Sequence, residues 1–462
     1  MSEHLVVDRP HYRAYGRRHL HRLPQLEVLS RDQMVALEAV SAVLPFRVND
    51  YVLNELIDWD DIPNDPIYQL TFPQAGMLDR ADLLRLQDLV VNRAAEEDLI
   101  PVAREVQQRM NPNPGGQKLL NVPMLDGERI PGCQHKYRET VLLFPLQGQT
   151  CHAYCTYCFR WAQFVGVKDL RFASRGSEAL ARYLSDHDEV SDVLITGGDP
   201  MVMSSRLLRR TIEPLLDPAL AHLRSIRIGT KALGYWPYRF LTDGDADDLM
   251  RLFERVRSSG RRLAVMAHFS HPRELGTTAV RQAIRRIRST GAVIRCQAPL
   301  IRHVNDRPQV WADMWRRQVA VGAVPYYLFV ERDTGPKQYF EVSLSRALRI
   351  FNAAYQDVSG LARTVRGPSM SATPGKVLVD GVATVNGERV FVLKMVQARD
   401  PEWVNRVFFA QFDSQATWID DLRPAFGEHQ FFFEPYIRAM YDRAWKPEWA
   451  RQDDDESEEL TA

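Results

Sequence analysis

Apolar positions recur at helical spacing through the early part of the chain. Ser30-Arg-Asp-Gln33 offers an N-cap with a polar residue three positions on, and Met34, Leu37 and Val40 then follow at a spacing that puts them on one face. A similar pattern with mixed charges runs through 80–110, and Asn111-Pro-Asn-Pro-Gly-Gly breaks it. The texture changes from 139 onward. Short β-rich runs at 141–145, 193–196, 225–229, 263–268, 293–298 and 326–330 alternate with helix-like stretches at 177–184, 207–216, 245–258, 277–289 and 310–321. Strands separated by helices predict parallel βαβ units. A barrel of this kind keeps its chemistry at the C-terminal ends of its strands. A helix over 344–355 and a Gly/Pro/Ser-rich loop ending at Lys376 come next. Two strand-like runs, 376–378 and 390–394, are joined by a turn at Asn386-Gly387.

The ends of the chain add little chemistry. Residues 9–24 are rich in Arg, His and Tyr (Arg9, Arg13, Arg17, Arg18, Arg22) and read as an arm that packs on this chain or on a neighbour. The run Asp453-Asp-Asp-Glu-Ser-Glu-Glu is a like-charge block with no assigned role. The expected division is an N-terminal arm and helical region over 1–138, a barrel-like region over 139–340, a C-terminal region over 341–440 and an acidic tail over 441–462.

Composition mainly excludes. Of the 462 residues, Lys+Arg and Asp+Glu each number 59, so the net charge is zero and gives no argument for nucleic acid or an anionic membrane. No apolar run approaches the roughly 20 residues of a membrane span. No basic stretch followed by an apolar one opens the chain, so no secretory signal is expected and the location is taken as cytoplasmic. Five cysteines are too few for a disulfide scaffold, but three of them lie together.

Cys151, Cys155 and Cys158 form C-x3-C-x2-C directly after the first β-rich run. Thiolates on a short loop can hold an iron–sulfur cluster. Three of them with no fourth nearby leave one iron of a 4Fe–4S cube open to a small molecule. A structural zinc site with His152 as fourth ligand is the alternative.

The segment Cys151-His-Ala-Tyr-Cys155-Thr-Tyr-Cys158 resembles the signature of radical S-adenosylmethionine (SAM) enzymes. The resemblance implies an α/β fold, a partial (β/α)6 barrel, and a 4Fe–4S cluster whose open iron holds SAM. Ile195-Thr196-Gly197-Gly198-Asp199-Pro200 is similar to the family's Gly-Gly-Asp/Glu segment, which contacts the methionyl amine. Further stretches resemble the lysine 2,3-aminomutase family in order along the chain: His135-Lys136-Tyr137, Ile228-Gly229-Thr230-Lys231, His268-Phe-Ser-His271-Pro272, Gln297 with Leu300-Ile-Arg-His-Val-Asn305-Asp306, and Pro325-Tyr326-Tyr327-Leu328. That family uses pyridoxal 5′-phosphate (PLP). The resemblance makes Lys376, at the end of Arg366-Gly367-Pro368-Ser-Met-Ser-Ala-Thr-Pro374-Gly375, the imine-forming lysine in a C-terminal PLP-binding extension. It offers Lys136 and Tyr137 as weaker PLP contacts, and Lys231 and Gln297 as cofactor contacts. The implied reaction moves the α-amino group of an amino acid to its β-carbon.

Arg160 stands where the family places the arginine that clamps the substrate α-carboxylate, a fork suited to bidentate binding. The lysine-acting members hold the distal ammonium with two aspartates. Here Arg332 or Asp333 stands opposite one of them and Arg366 opposite the other. An arginine there repels an ammonium and attracts a carboxylate, so an acidic substrate such as glutamate is expected. Lysine itself, another amine or a protein-bound lysine, and a cluster-bearing binding protein without turnover remain the other readings. The family's C-terminal zinc cysteines have no counterpart after Cys296, so that zinc is not expected. The arginine that follows His-Lys-Tyr in the family is Thr140 here, with Arg138 close by. Cys133 is taken as a buried free thiol. The partners implied are a small amino acid, a low-potential electron donor and a second copy of the chain, with neither nucleic acid nor membrane.

Overall fold

The computed structural model describes residues 10–167 and 170–445. Arg9 and the acidic block at 453–459 lie outside the described residues.

The N-terminal region is helical as its pattern predicts. Helix α1 (Arg31–Val43) starts at Ser30, whose side chain accepts from Gln33 N while Gln33 Oε1 accepts from Ser30 N. Its buried face carries Ala36, Leu37, Val40 and Val43. Helices α2 (Arg80–Val91) and α3 (Glu96–Arg109) pack beside it. The basic arm folds back on its own chain: Ala14–Gly16 pairs antiparallel with Arg47–Asn49, and Tyr15 and Leu20 are buried. The chain then breaks at Asn111, Gly115 and Gly116, all at positive φ.

One sheet of eleven strands organises the rest, with its strands in sequence order. They are β1 (Cys133–Tyr137), β2 (Thr140–Leu143), β3 (Asp192–Ile195), β4 (Ser225–Thr230), β5 (Arg262–His268), β6 (Val293–Leu300), β7 (Val324–Val330), β8 (Arg366–Ser371), β9 (Gly375–Val385), β10 (Glu388–Ala398) and β11 (Val407–Gln411). Strands β2 to β8 run parallel, and β1 and β9 to β11 pair antiparallel at the two ends. The six strands read from the sequence all form. Between them lie α4 (Glu178–Ser185), α5 (Ser205–Ile212), α6 (Ala246–Ser258), α7 (Thr278–Ser289) and α8 (Pro308–Ala320), and α9 (Leu344–Gln356) precedes β8. Each buries one stripe. Helix α6 buries Leu249, Leu252, Phe253 and Val256, and α7 buries Val280, Ala283, Ile284 and Ile287. That spacing, i, i+3, i+4, i+7, faces the sheet, and each large apolar side chain so buried contributes about 1.5–3 kcal/mol.

The segment expected to be a Gly/Pro-rich loop before Lys376 is instead strand β8, so the parallel run has seven strands rather than six. Tyr327 pairs with Arg366 and Phe329 with Ser369, with an irregularity between them where Pro368 can donate no hydrogen bond. Gly367 is required by contact: a Cβ there would stand 2.6 Å from the Leu328 carbonyl oxygen. The glycine and proline that read as loop are therefore the adjustments that fit a strand against β7. The two short runs expected after Lys376 lengthen into the β9–β10 hairpin, turned at Asn386 and Gly387, both at positive φ.

Three buried clusters form the core. One lies between the sheet and helices α4 to α9, and one under β9 to β11. The third joins Leu37, Val40, Leu53, Leu70 and Phe72 of the N-terminal region to Ala153, Tyr157 and Trp161 of the cysteine loop, and to Tyr235, Ile301 and Phe340. Among the described residues no helix is long and apolar enough to cross a membrane.

Candidate active site

A cavity of about 350 Å³ opens over the ends of the parallel strands. Its walls include Cys151, Cys155, Cys158, Gly197, Gly198 and Lys231 around the cysteine loop, Lys136, Tyr137, Arg332 and Lys376 around β9, and also Arg160, next to Cys158, and Gln297. Residues separated by more than 200 positions thus meet in one space.

The cysteine loop follows β2 and is tied down by the N-terminal region. Tyr154 N donates to Arg47 O at 2.8 Å and Thr156 N to Leu70 O at 2.9 Å. Asn49 Nδ2 and Tyr12 Oη both donate to His152 O, at 3.1 and 2.8 Å. These tethers satisfy main-chain groups that would otherwise be orphaned in a buried loop, and they fix where the thiols point. Burial raises all three thiols, Cys158 to about 12. Among the described residues no three His, Cys, Asp or Glu side chains come close enough to grip a single ion. His152 is not in the cavity wall; its ring packs edge-on against Tyr12. The His152 ring is thus directed away from the cavity that the three thiols line.

The Gly-Gly-Asp turn after β3 lies directly against this loop. A Cβ on Gly198 would stand 2.5 Å from Thr150 O, and Asp199 N donates to that same oxygen at 2.7 Å. The glycines let two main chains meet. Asp199 itself points into the turn rather than into the cavity. It is not in the wall, and its carboxylate accepts from Thr230 Oγ1, Lys231 N and Met201 N at 2.7, 2.8 and 2.9 Å. Burial still pushes it up to about 6. Asp199 latches the turn to the end of β4. Lys231, in the wall, is paired with Glu274 Oε1 at 2.6 Å and donates to Ser270 Oγ at 3.2 Å.

At the other end, β9 brings Lys376 into the cavity. Its Nζ donates to Gln397 Oε1 at 2.8 Å and lies 4.4 Å from the Tyr327 ring centre, with Phe329 and Tyr137 next. Burial, followed by the charges of Arg227 and Arg366, lowers its ammonium to about 7. Lys136 Nζ donates to Ala372 O, and burial and neighbouring cations hold it well below the usual lysine value. The donor set fits PLP: an amine that is about half deprotonated near pH 7, aromatic faces on Tyr327, Phe329 and Tyr137, and the Lys136 amine beside them.

Arg160 and Arg332 both lie near Phe159, 5.4 and 5.9 Å from its ring centre. Burial pushes Arg160 down to about 9, and the charge of Arg332 adds to this. Arg332 Nε has no hydrogen-bond partner; Asp333 Oδ1 lies 3.6 Å away as a loose counter-charge. Asp333 and Arg366 are not in the wall. Asp333 accepts from Asn111 through its carbonyl, and the Arg366 guanidinium stacks on Tyr326 and Tyr327 at 4.6 and 4.3 Å. The sequence did not separate Arg332 from Asp333, and it pointed to Arg366. Arg332 lies just after β7 and lines the cavity, while Arg366, at the start of β8, lies over the two tyrosines.

Several residues escaped the sequence reading. Gln397, Arg227, Asn49 and Tyr235 carry no motif and reach the site only through strand pairing and packing. Glu331 is buried at 6 % exposure in the cavity wall with both carboxylate oxygens unpartnered, and burial raises it well above the usual range.

A cysteine-bearing loop at the ends of parallel strands, facing a reactive lysine across one cavity, defines an α/β enzyme with its chemistry in that cavity. The L-lysine 2,3-aminomutase of Escherichia coli (strain K12) is 30% identical over 254 residues, covering 53% of this chain and 68% of its own. An Aquifex aeolicus (strain VF5) protein provisionally named L-lysine 2,3-aminomutase is 29% identical over 408 residues, 88% of this chain and 95% of its own. The glutamate 2,3-aminomutase of Clostridioides difficile (strain 630) is 23% identical over 340 residues, 74% of this chain and 68% of its own. The chain belongs to the lysine 2,3-aminomutase family of radical SAM enzymes and is an isomerase of the aminomutase class. No family model matches it. A solved radical SAM methyltransferase from Sphaerobacter thermophilus superposes with a TM-score of 0.34 at 16% identity, over 53% of this chain and 71% of that one, too loosely to carry weight.

Proposed function

We propose that the chain is an amino acid 2,3-aminomutase that uses a 4Fe–4S cluster, SAM and PLP to move the α-amino group of an acidic amino acid, such as glutamate, to its β-carbon. The observation that carries this reading is the meeting of three thiols, the Lys376 amine and two buried guanidinium groups in one cavity of about 350 Å³. The open parallel run is read as the partial barrel, with β8 as its last strand. The region's end thus moves from 340 to Ser371.

When bound, the cluster and SAM supply the power to abstract hydrogen, and PLP carries the migrating nitrogen. The protein's own work is binding. Cys151, Cys155 and Cys158 are the candidate cluster ligands. Gly197 and Gly198 pack against the cysteine loop and line the cavity beside it, where SAM would be held, and Lys231 and Gln297 line the same cavity. Lys376 offers a neutral amine to the cofactor aldehyde, because burial has already removed much of the cost of deprotonation. Gln397 holds that amine in place, and Lys136 and Tyr137 flank it. Arg160 clamps the α-carboxylate. Arg332 receives the distal carboxylate, since its unpartnered Nε and weak counter-charge leave it able to take a second anion. A low-potential carrier supplies the electron.

Glu331 favours a second reading. A buried carboxylate without partners is a possible seat for an ammonium, so lysine is the competing substrate. Anaerobically reconstituted protein, incubated with a panel of amino acids and assayed by mass spectrometry for β-isomers, separates the two. β-Glutamate is the expected product; β-lysine without β-glutamate contradicts the role given to Arg332.

A further inference from the structure

Tyr235 ends the short helix Ala232–Tyr235 that follows β4. Its side chain is 1 % exposed, and its hydroxyl lies 3.2 Å from Cys155 Sγ. A buried phenol oxygen requires a hydrogen-bond partner. A neutral thiol is a weak one, whereas a thiolate accepts a charge-assisted bond. The contact is therefore strongest when the sulfur carries negative charge, as it does on a metal. The phenol is held firmly. Asn49 Nδ2 donates to Tyr235 O at 3.0 Å and to His152 O at 3.1 Å, so one buried amide joins the phenol's helix to the cysteine loop. Lys231 Nζ, fixed by Glu274, lies 4.6 Å from the centre of the Tyr235 ring. The other nearby phenol, Tyr157, also reaches the Cys155 sulfur, but its hydroxyl is shared with His268 Nε2 at 2.7 Å and Ser270 Oγ at 3.1 Å, whereas the Tyr235 hydroxyl has Cys155 Sγ as its recorded side-chain partner.

We propose that Tyr235 is a positioning residue that donates its hydroxyl hydrogen to the Cys155 thiolate and thereby raises the reduction potential of the cluster held by Cys151, Cys155 and Cys158. This rests on the cluster assignment above. Reduction adds one electron to the cluster and neither makes nor breaks a covalent bond at Tyr235. The hydrogen bond draws charge from the sulfur and so favours the reduced form, which carries more negative charge.

The test is anaerobic redox titration of the reconstituted full chain, followed by EPR. Tyr235→Phe lowers the reduced-to-oxidised ratio at a fixed potential by about tenfold, which is about 59 mV for one electron. In the native protein the Fe–Sγ stretching bands shift in D2O, and Tyr235→Phe removes part of that shift. Tyr51→Phe, which deletes a buried phenol bonded to Thr277 at 2.8 Å, leaves the potential unchanged. Should Tyr235→Phe fail to assemble, 3-fluorotyrosine placed at 235 is a stronger donor of similar size and moves the potential upward. An unchanged potential in a fully loaded Tyr235→Phe protein, or no upward move with the fluorinated residue, overturns the proposal and leaves the cluster assignment standing. A native chain that assembles no 4Fe–4S cluster overturns both.

Discussion

The two ends of the cavity are built in different ways. The cysteine end is one short loop held by main-chain bonds to a separate helical region: Arg47 O, Leu70 O and the Asn49 amide grip it from outside the sheet. The lysine end has no such loop. Lys376, Gln397, Tyr137, Tyr327 and Phe329 arrive on β9, β10, β1 and β7, and the sheet's register is what brings them together. A site carried on a loop needs a clamp to be rigid, whereas a site carried on strands inherits rigidity from the ladder. Damage should therefore spread differently at the two ends, and substitutions can test that difference.

The largest effect is expected at the thiols. Cys158→Ala should leave no intact 4Fe–4S cluster after anaerobic reconstitution, measured by iron and sulfide content and by EPR, while PLP uptake at the far end persists. Lys376→Ala should produce the converse: a full cluster, and no imine absorbance that borohydride can remove. In the native protein, formation of that imine should slow as pH falls. Below about 7 the Lys376 amine is increasingly protonated, so the attachment rate is expected to drop roughly tenfold per unit. A rate that stays flat from pH 8 to pH 6 would contradict the depressed ammonium.

Smaller effects follow from single contacts. Removing a hydrogen-bonding charge costs about 1.5–3 kcal/mol, so Arg332→Gln should raise the KM for glutamate by about tenfold or more and leave PLP uptake alone. Asn49→Ala removes a buried amide that ties the cysteine loop to Tyr235. A loss of about 1–3 kcal/mol in folding stability is expected, read by denaturant melting, together with a cluster that is lost more readily to chelators. If Asn49→Ala destabilised the lysine end as much as the cysteine end, the contrast between clamp and ladder would fail.

The same contrast explains what could be read from the sequence. Cys151, Cys155 and Cys158 are contiguous, and a loop motif survives in one dimension. The parallel strands were legible because each apolar run is flanked by an amphipathic helix. Strand β8 was not, because Gly367 and Pro368 mimic a loop when the Leu328 carbonyl they accommodate is unseen. Asp199 looked like a ligand group because Gly-Gly-Asp sits in the right place, yet its carboxylate is spent on Thr230 and on the main chain of β4's exit. Arg366 and Arg332 could be told apart only in three dimensions, by the stacking of one on Tyr326 and Tyr327 and the place of the other in the cavity lining. Gln397 and Tyr235 depend entirely on long-range pairing and carry no local signal.

Following deuterium from the adenosyl 5′-methylene of SAM into the product tests most directly whether both ends work on one substrate in one cavity. The account predicts that protein loaded with cluster and PLP, given glutamate and SAM deuterated at that carbon, releases β-glutamate carrying deuterium. A β-amino acid free of the label, or no β-amino acid from fully loaded protein, would contradict it.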